Sequence, residues 1–299
     1  MGFRLFLLLE KLLMILPRKL RKGIFTSLAT IAYYASKRYR SIGFTNLDFV
    51  FGDTLSYEQK RAIVKHSFRN LLLNFYHLME LRHSSPEQIT SKVTIKNKEI
   101  IDRIHAQNRA IIYITPHYCA WELGGASIGL LIEHLAVVFR KMKNRDFEQW
   151  VIEAREHFGN SSLEKRGVVK HLIKLVKAKK AMGILIDTAI NKNEGIEVDF
   201  MGKRIFQTPS PAYLARKYDA AIVPITMTSE DEEHYELTFF DEIITPKSDD
   251  EKQDILEATQ KQANWLASLI QSEPKFWFWV HRRFKYEYPH IYKPKSKSS

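Results

Sequence analysis

One cysteine in 299 residues, Cys119, excludes an intramolecular disulfide framework and a cysteine-rich zinc site. Glycine (12) and proline (10) are sparse, which excludes collagenous or linker-like material. Charges interrupt every apolar run before the ~18–20 residues that a membrane-spanning helix needs. Several catalytic signatures are missing as well. There is no G-x-x-x-x-G-K-[ST] phosphate loop, no G-x-G-x-x-G, no H-E-x-x-H and no protein-kinase set. What is present is 45% hydrophobic and 12% aromatic, too apolar for disorder, so one folded unit is expected.

The net charge of +12 is unevenly placed. Residues 1–40 carry nine basic side chains and one acid, and residues 274–299 carry seven and one, leaving the body between them near neutral. Arg4, Lys11, Arg18 and Lys22 fall on one helix face if the chain stays helical past Pro17. The positions around them are mostly Leu, Phe, Ile and Met. This predicts a helix lying in a bilayer interface, cations at anionic head groups and apolar residues among acyl chains. A core helix with a solvated basic rim is the plainer alternative. A signal peptide fits poorly, because Glu10 and Lys11 split the run and no small-residue cleavage site follows. The N-myristoylation pattern fails at Phe6. Nucleic acid is not an expected partner, since cations here alternate with Leu and Met runs.

Residues 57–82 read as a helix, with Ile63, Phe68, Leu71, Leu72, Phe75 and Leu78 in helical rhythm. From there β-rich runs follow at 93–97, 110–116, 135–141, 181–187, 220–229 and 235–243. Helical stretches are expected at about 145–158, 166–180, 209–218 and 250–272. Apolar strands alternating with helices predict an α/β fold, a mixed, mostly parallel sheet layered with helices and preceded by an N-terminal helical membrane-anchor region. The expected divisions are an anchoring segment over 1–40, a catalytic domain over 41–288 and a basic flexible tail over 289–299.

The run AIIYITP ends at His117, and strand ends in open α/β sheets are where reacting groups gather. Glu122 lies five residues on. If His117 just precedes a helix and Glu122 sits in its first turn, the two can meet as a base and its orienting carboxylate. The spacing is weak by itself, since eleven histidines and this acid content give roughly one chance match. Nearby, Gly125-Ala126-Ser127-Ile128-Gly129 matches the G-x-S-x-G nucleophile elbow, but no strand directly precedes it. A serine esterase through Ser127 is therefore a minor reading. Asp187 closes the run AMGILID, where a loop cap is the ordinary role. The segment PKFWFWVHRRFK, residues 274–285, is either a buried strand or a place where aromatic surface and arginines meet an anionic amphiphile.

Taken together, RSIGFTNLDFVFG, HYCAWE, VVFRKMKN, ILIDTAINKNEGIEVDFMGKRIFQTPSPAYLARKYDAAIVP and PKFWFWVHRRFK resemble the late acyltransferases of lipid A biosynthesis, within the lysophospholipid acyltransferase superfamily. The resemblance covers about Arg40 to Tyr288. It implies a membrane-associated O-acyltransferase on the cytoplasmic face of the bacterial inner membrane. The donor would be a thioester on acyl carrier protein and the acceptor a hydroxyl of a Kdo-lipid A precursor. The H-x4-(D/E) pair maps onto His117 and Glu122, and the arginines near the thioester oxygen onto Arg155 or Arg140. Asp187, Glu194, Gly202, Arg282 and Arg283 would contact substrate. No metal and no cofactor is implied. The chain departs from the family at Cys119-Ala120, where Gly-Asn is usual, and at Thr188, where Gln is common; both bear on chain-length or acceptor choice. The alternatives are an acyl-CoA-dependent acyltransferase on another membrane lipid and a non-catalytic peripheral membrane protein.

Overall fold

The computed structural model describes residues 2–293. Four helices come first: α1 (Gly2–Ile15), α2 (Arg18–Ala35), α3 (Lys37–Phe51) and α4 (Tyr57–Leu81). A capping box starts α4, with Ser56 accepting from the Gln59 amide and Gln59 reaching back to the Ser56 amide. Then α5 (Pro86–Thr90), β1 (Val93–Lys96), α6 (Lys98–Ala106), β2 (Ile111–Thr115), α7 (Trp121–Leu131) and β3 (Leu135–Phe139) follow. The chain continues through α8 (Arg145–Glu156), β4 (Ser161–Glu164), α9 (Val169–Lys177) and β5 (Ala181–Leu185). It ends with β6 (Ile196–Phe200), β7 (Lys203–Gln207), α10 (Ser210–Tyr218), β8 (Ala221–Thr228), β9 (Tyr235–Phe239) and α11 (Glu251–Ser272).

Seven strands form one sheet in the order β1-β9-β8-β2-β5-β3-β4. Every neighbouring pair is parallel except β8–β9. The sheet is thus mixed and mostly parallel, as the alternation of elements predicts. At its centre β2 is buried along Ile111–Ile114, between β5 and β8. Strands covered on both faces must be apolar throughout, which is why IIYIT, AMGIL and AIVPITMT read as continuous runs. The hairpin β6–β7 stands apart from this sheet. Its turn, Met201-Gly202, has φ of 55° and 73°. Such a two-residue connection needs two left-handed positions, and glycine takes one without steric cost. The Gly202 amide donates to the Asp199 carboxylate at 3.1 Å. The local role of Gly202 is therefore turn geometry, at an exposed position.

The N-terminal helices differ from the expected single stripe. The chain breaks at Pro17, so α1 and α2 are separate. Of the four stripe cations, Arg18 pairs with Glu80 and Glu233, and Lys22 with Glu233. Those charges serve tertiary contacts. In α1, Phe3, Phe6, Leu7, Leu13 and Met14 pack inward on a cluster that includes Tyr76, Met79 and Trp150. Glu10 is buried there, accepting from the Trp150 indole (2.9 Å) and from Arg82 (3.2 Å), with His83 at 3.0 Å. The opposite face of α1 exposes Leu5, Leu8, Leu9, Leu12 and Ile15, at the i, i+3, i+4, i+7 spacing of one helix side. No helix among the described residues is long and apolar enough to cross a membrane. At the other end, Pro289–Tyr292 forms a 3-10 turn, and the Tyr292 hydroxyl donates to Asn46 at 2.6 Å. The start of the expected flexible tail is therefore docked; residues 294–299 lie outside the described residues.

Candidate active site

His117 leaves the end of β2 and precedes α7 by a short loop, Tyr118-Cys119-Ala120. That loop is tied on both sides. The Cys119 amide donates to Phe276 O (2.9 Å), the Ala120 amide to Met227 O (3.2 Å) and the Phe278 amide to His117 O (3.0 Å). Cys119 sits at φ 45°, a left-handed position that costs an L residue about 1 kcal/mol or more. Glycine would adopt this conformation freely. Burial pushes the Cys119 thiol up to about 12, which disfavours the thiolate that a nucleophile needs.

The His117 imidazole meets Asp187, not Glu122. Nδ1 lies 2.9 Å from Asp187 Oδ1, and the His117 amide donates to Asp187 Oδ2, also at 2.9 Å. The Trp277 indole donates to the same Oδ2 at 2.9 Å. Asp187 is fully buried at the exit of β5. Burial alone would favour its neutral form, but the His117 imidazole and amide, with His281, hold the carboxyl far below the usual carboxylate range. An ionised Asp187 accepts a hydrogen bond from Nδ1–H, which keeps the ring proton on Nδ1 and leaves the Nε2 lone pair free. Burial and Arg155 act to lower the His117 pKa; Asp187 first, then Glu122, outweigh them and raise it above 6.5.

Glu122 instead receives Arg155 in a two-point clasp, Nε to Oε2 at 2.8 Å and Nη2 to Oε1 at 2.6 Å. The helix start at Trp121 turns Glu122 toward α8, and the last turn of α8 delivers Arg155. Burial opposes the Glu122 charge, yet Arg155 brings its pKa below the normal value. Both side chains line a narrow cavity of about 60 Å³ between α7 and the strands β2, β3, β5 and β8. The rest of its wall is largely apolar, including Trp121, Leu135, Val137, Ile225 and Met227, and two glycines leave it open. Gly183 gives β5 no side chain there, and a Cβ on Gly125 would meet no atom within 4 Å.

The other sequence candidates scatter. Arg140 and Glu194 lie in a separate surface cleft. Arg282 is exposed and stacks over Tyr292. Arg283 is wholly buried, its guanidinium over Phe200, so it does not present to a ligand at the surface as expected. Ser127 is buried in the middle of α7, with no strand-to-helix turn, so the elbow geometry is absent. Sequence reasoning also missed a polar row on α4. Ser67 accepts from the Trp279 amide and donates to Trp277 O, and Asn70 donates to Phe276 O. Asn74 donates to Cys119 O (2.6 Å) and accepts from the Glu122 amide (3.1 Å). Its signal was there: polar residues at i, i+3 and i+7 on the otherwise apolar face of a helix.

A basic imidazole nitrogen beside a narrow hydrocarbon-lined cavity suits an enzyme that handles fatty acyl chains. The comparisons carry this further. The profile of the family "Bacterial lipid A biosynthesis acyltransferase" matches residues 2–286, and the chain belongs to that family. It is 22% identical over 262 residues to the lipid A biosynthesis palmitoleoyltransferase of Escherichia coli (strain K12), covering 87% of this chain and 83% of that protein. It is similar to that organism's lauroyltransferase (22% over 264 residues; 86% and 83%) and myristoyltransferase (24% over 209 residues; 70% and 64%). The protein is therefore an acyltransferase of lipid A biosynthesis.

Proposed function

We propose that the protein transfers a fatty acyl chain from the thioester of an acyl carrier protein to a hydroxyl of a Kdo-lipid A precursor, at the cytoplasmic face of the bacterial inner membrane. The observation that carries the mechanism is the His117–Asp187 pair, whose imidazole packs edge-on against Trp121 of the cavity wall. Nε2 of His117 takes the acceptor hydroxyl proton as the oxygen attacks the thioester carbonyl; the C–S bond breaks and the proton passes to the departing sulfur. Asp187 fixes the tautomer and supports the imidazolium. Arg155, clasped by Glu122 through Nε and Nη2, keeps Nη1 for the carbonyl oxygen as negative charge develops there. Glu122 so becomes a positioning residue for Arg155 as well as a field that favours the imidazolium. The exposed leucine face of α1 would seat the protein on the bilayer.

The direct test is mass spectrometry of products after membranes containing the protein receive acyl carrier protein thioesters and a tetra-acylated precursor. A gain of one acyl chain supports the reading; no gain with that pair but a gain with acyl-CoA or another glycolipid replaces it.

Two expectations follow from the same geometry. The base must be neutral to act, and its pKa is raised, so kcat/KM should rise with pH through a limb above ~6.5, the ordinary histidine value. A pH–rate profile checks this, and a limb below that value contradicts it. Gly125→Leu should fill the cavity and shorten the preferred chain by several carbons, read from product masses with a mixture of donors. Unchanged product length would remove the cavity as the acyl site.

A further inference from the structure

His117 stands among aromatic rings delivered by two separate elements. The Trp121 ring, at the start of α7, meets the imidazole edge-on, with 5.2 Å between centroids and 77° between planes. The Phe278 ring lies 6.1 Å from His117 and 6.1 Å from Trp121, which closes a triangle. Both rings are held in place. The Trp121 indole donates to Glu122 Oε1 at 3.2 Å. Phe278 stacks on the His281 ring at 5.7 Å and 5°, and His281 Nδ1 donates to Phe278 O at 2.6 Å. All three residues of the triangle are only partly buried, and the His117 side chain is 25% exposed, so the triangle sits where the site meets solvent. The carboxylates beside the base are already engaged. Asp187 accepts three protein hydrogen bonds, from His117 Nδ1, the His117 amide and the Trp277 indole. Glu122 also accepts three, two from Arg155 and one from Trp121. A water on His117 Nε2 would therefore meet aromatic surface and little spare carboxylate capacity to anchor it.

We infer that the Phe278 ring, with Trp121, sets the enzyme's choice between a lipid hydroxyl and water. This rests on the reading above that His117 activates an acceptor hydroxyl, and it adds what keeps water from that place. The competing reaction needs only water. Its oxygen attacks the thioester carbonyl, the C–S bond breaks, and its proton passes through His117 to the departing sulfur, releasing a free fatty acid. One basic nitrogen serves either nucleophile, so selection falls to the surface around it. Aromatic faces lose little on desolvation and pack against the C–H groups of an amphiphile, whereas they give water no hydrogen bond of ordinary strength. Phe278 is the ring to test, because it lines no part of the acyl cavity and its hydrogen bonds run through its backbone.

The experiment gives the full chain and its Phe278→Ala and Phe278→Tyr variants an acyl carrier protein thioester and a tetra-acylated precursor in neutral-detergent micelles. Free fatty acid and acylated product are measured together. In Phe278→Ala the ratio of hydrolysis to transfer should rise at least about tenfold, while Phe278→Tyr, which keeps the ring, should stay within about twofold of the unaltered protein. An unchanged ratio in Phe278→Ala overturns the inference. So does a parallel fall in both products, which would make the ring a support for the fold alone. Carbethoxylation of His117 by diethyl pyrocarbonate, read by peptide mass spectrometry without donor or acceptor, separates this from the functional reading. Phe278→Ala should speed that modification about fivefold or more, with the exposed His134 as internal reference. If neither protein consumes the thioester, the proposed reaction fails, while faster modification of His117 still supports the aromatic shield. Equal modification rates overturn it.

Discussion

His117→Ala should lower acyl transfer by about 10²–10⁴-fold, the range a lost general base produces, and Asp187→Asn should come close to it. The second result is the more discriminating. Asp187 Oδ2 accepts from the His117 amide and the Trp277 indole, so an asparagine would keep its oxygen on that side. Its NH₂ would then face Nδ1 and donate to it, forcing the ring proton onto Nε2, where the free lone pair is needed. The fold would keep its hydrogen bonds while the base is held in the wrong tautomer. Glu122→Gln supplies the contrast. It leaves the His117–Asp187 contact in place, so its loss should be smaller, and the acid limb should shift down only by the removed Glu122 charge. Steady-state kinetics of the three variants, with circular dichroism as a check on folding, decides the assignment. If Glu122→Gln is the more damaging and Asp187→Asn nearly silent, the orienting role returns to Glu122.

Arg155→Met should destabilise the protein by about 3–5 kcal/mol, because it strands a carboxylate in an apolar pocket. Glu122 is 9% exposed and Arg155 19%, so water does little to screen the pair. For a domain with about 5–15 kcal/mol of stability, such a loss is roughly a fifth or more of the total. The double variant Glu122→Gln/Arg155→Met removes the orphaned charge and should recover most of the stability without recovering activity. Denaturant unfolding of the single and double variants measures this. Equal stability of the two would mean that the ion pair contributes little and that Glu122 simply takes up a proton when Arg155 is lost.

The sheet was legible where burial on both faces demanded uninterrupted apolar residues: Ile111–Ile114, Ala181–Leu185 and Ala221–Met227 could hardly be anything else. β4 escaped because Ser161–Glu164 is only partly buried, on the open side of β3, where polar residues are tolerated. The hairpin β6–β7 had a readable pattern, Ile-x-Val-x-Phe, then Met-Gly, but its strands lie outside the main sheet and no alternation of β and α announces them. In the site, the residue types were legible and their pairing was not. His117 and Glu122 are five apart in sequence, which invited the match. The actual partners, His117 with Asp187 and Glu122 with Arg155, are 70 and 33 residues apart and meet only because β5 lies beside β2 and α8 lies beside α7. Arg283 shows the opposite failure, a charged residue in a basic segment that composition assigns to the surface and packing against Phe200 draws inside.

The stitching of residues 276–281 has a consequence for the order in which the enzyme comes into being. Trp277 holds Asp187, Phe276 and Phe278 fix the loop carrying His117, and Ser67, Asn70 and Asn46 secure that late segment in turn. The proposed base His117, its carboxylate Asp187 and Arg155 are all synthesised by residue 187, yet their scaffold waits for nearly a hundred more residues, on the order of ten seconds of translation. A nascent or prematurely terminated chain therefore carries the reactive side chains without the geometry that makes them reactive. If the proposed assignment holds, such a chain would not squander activated fatty acids by hydrolysing thioesters, because the scaffold of the site is completed only once residues 276–281 are in place.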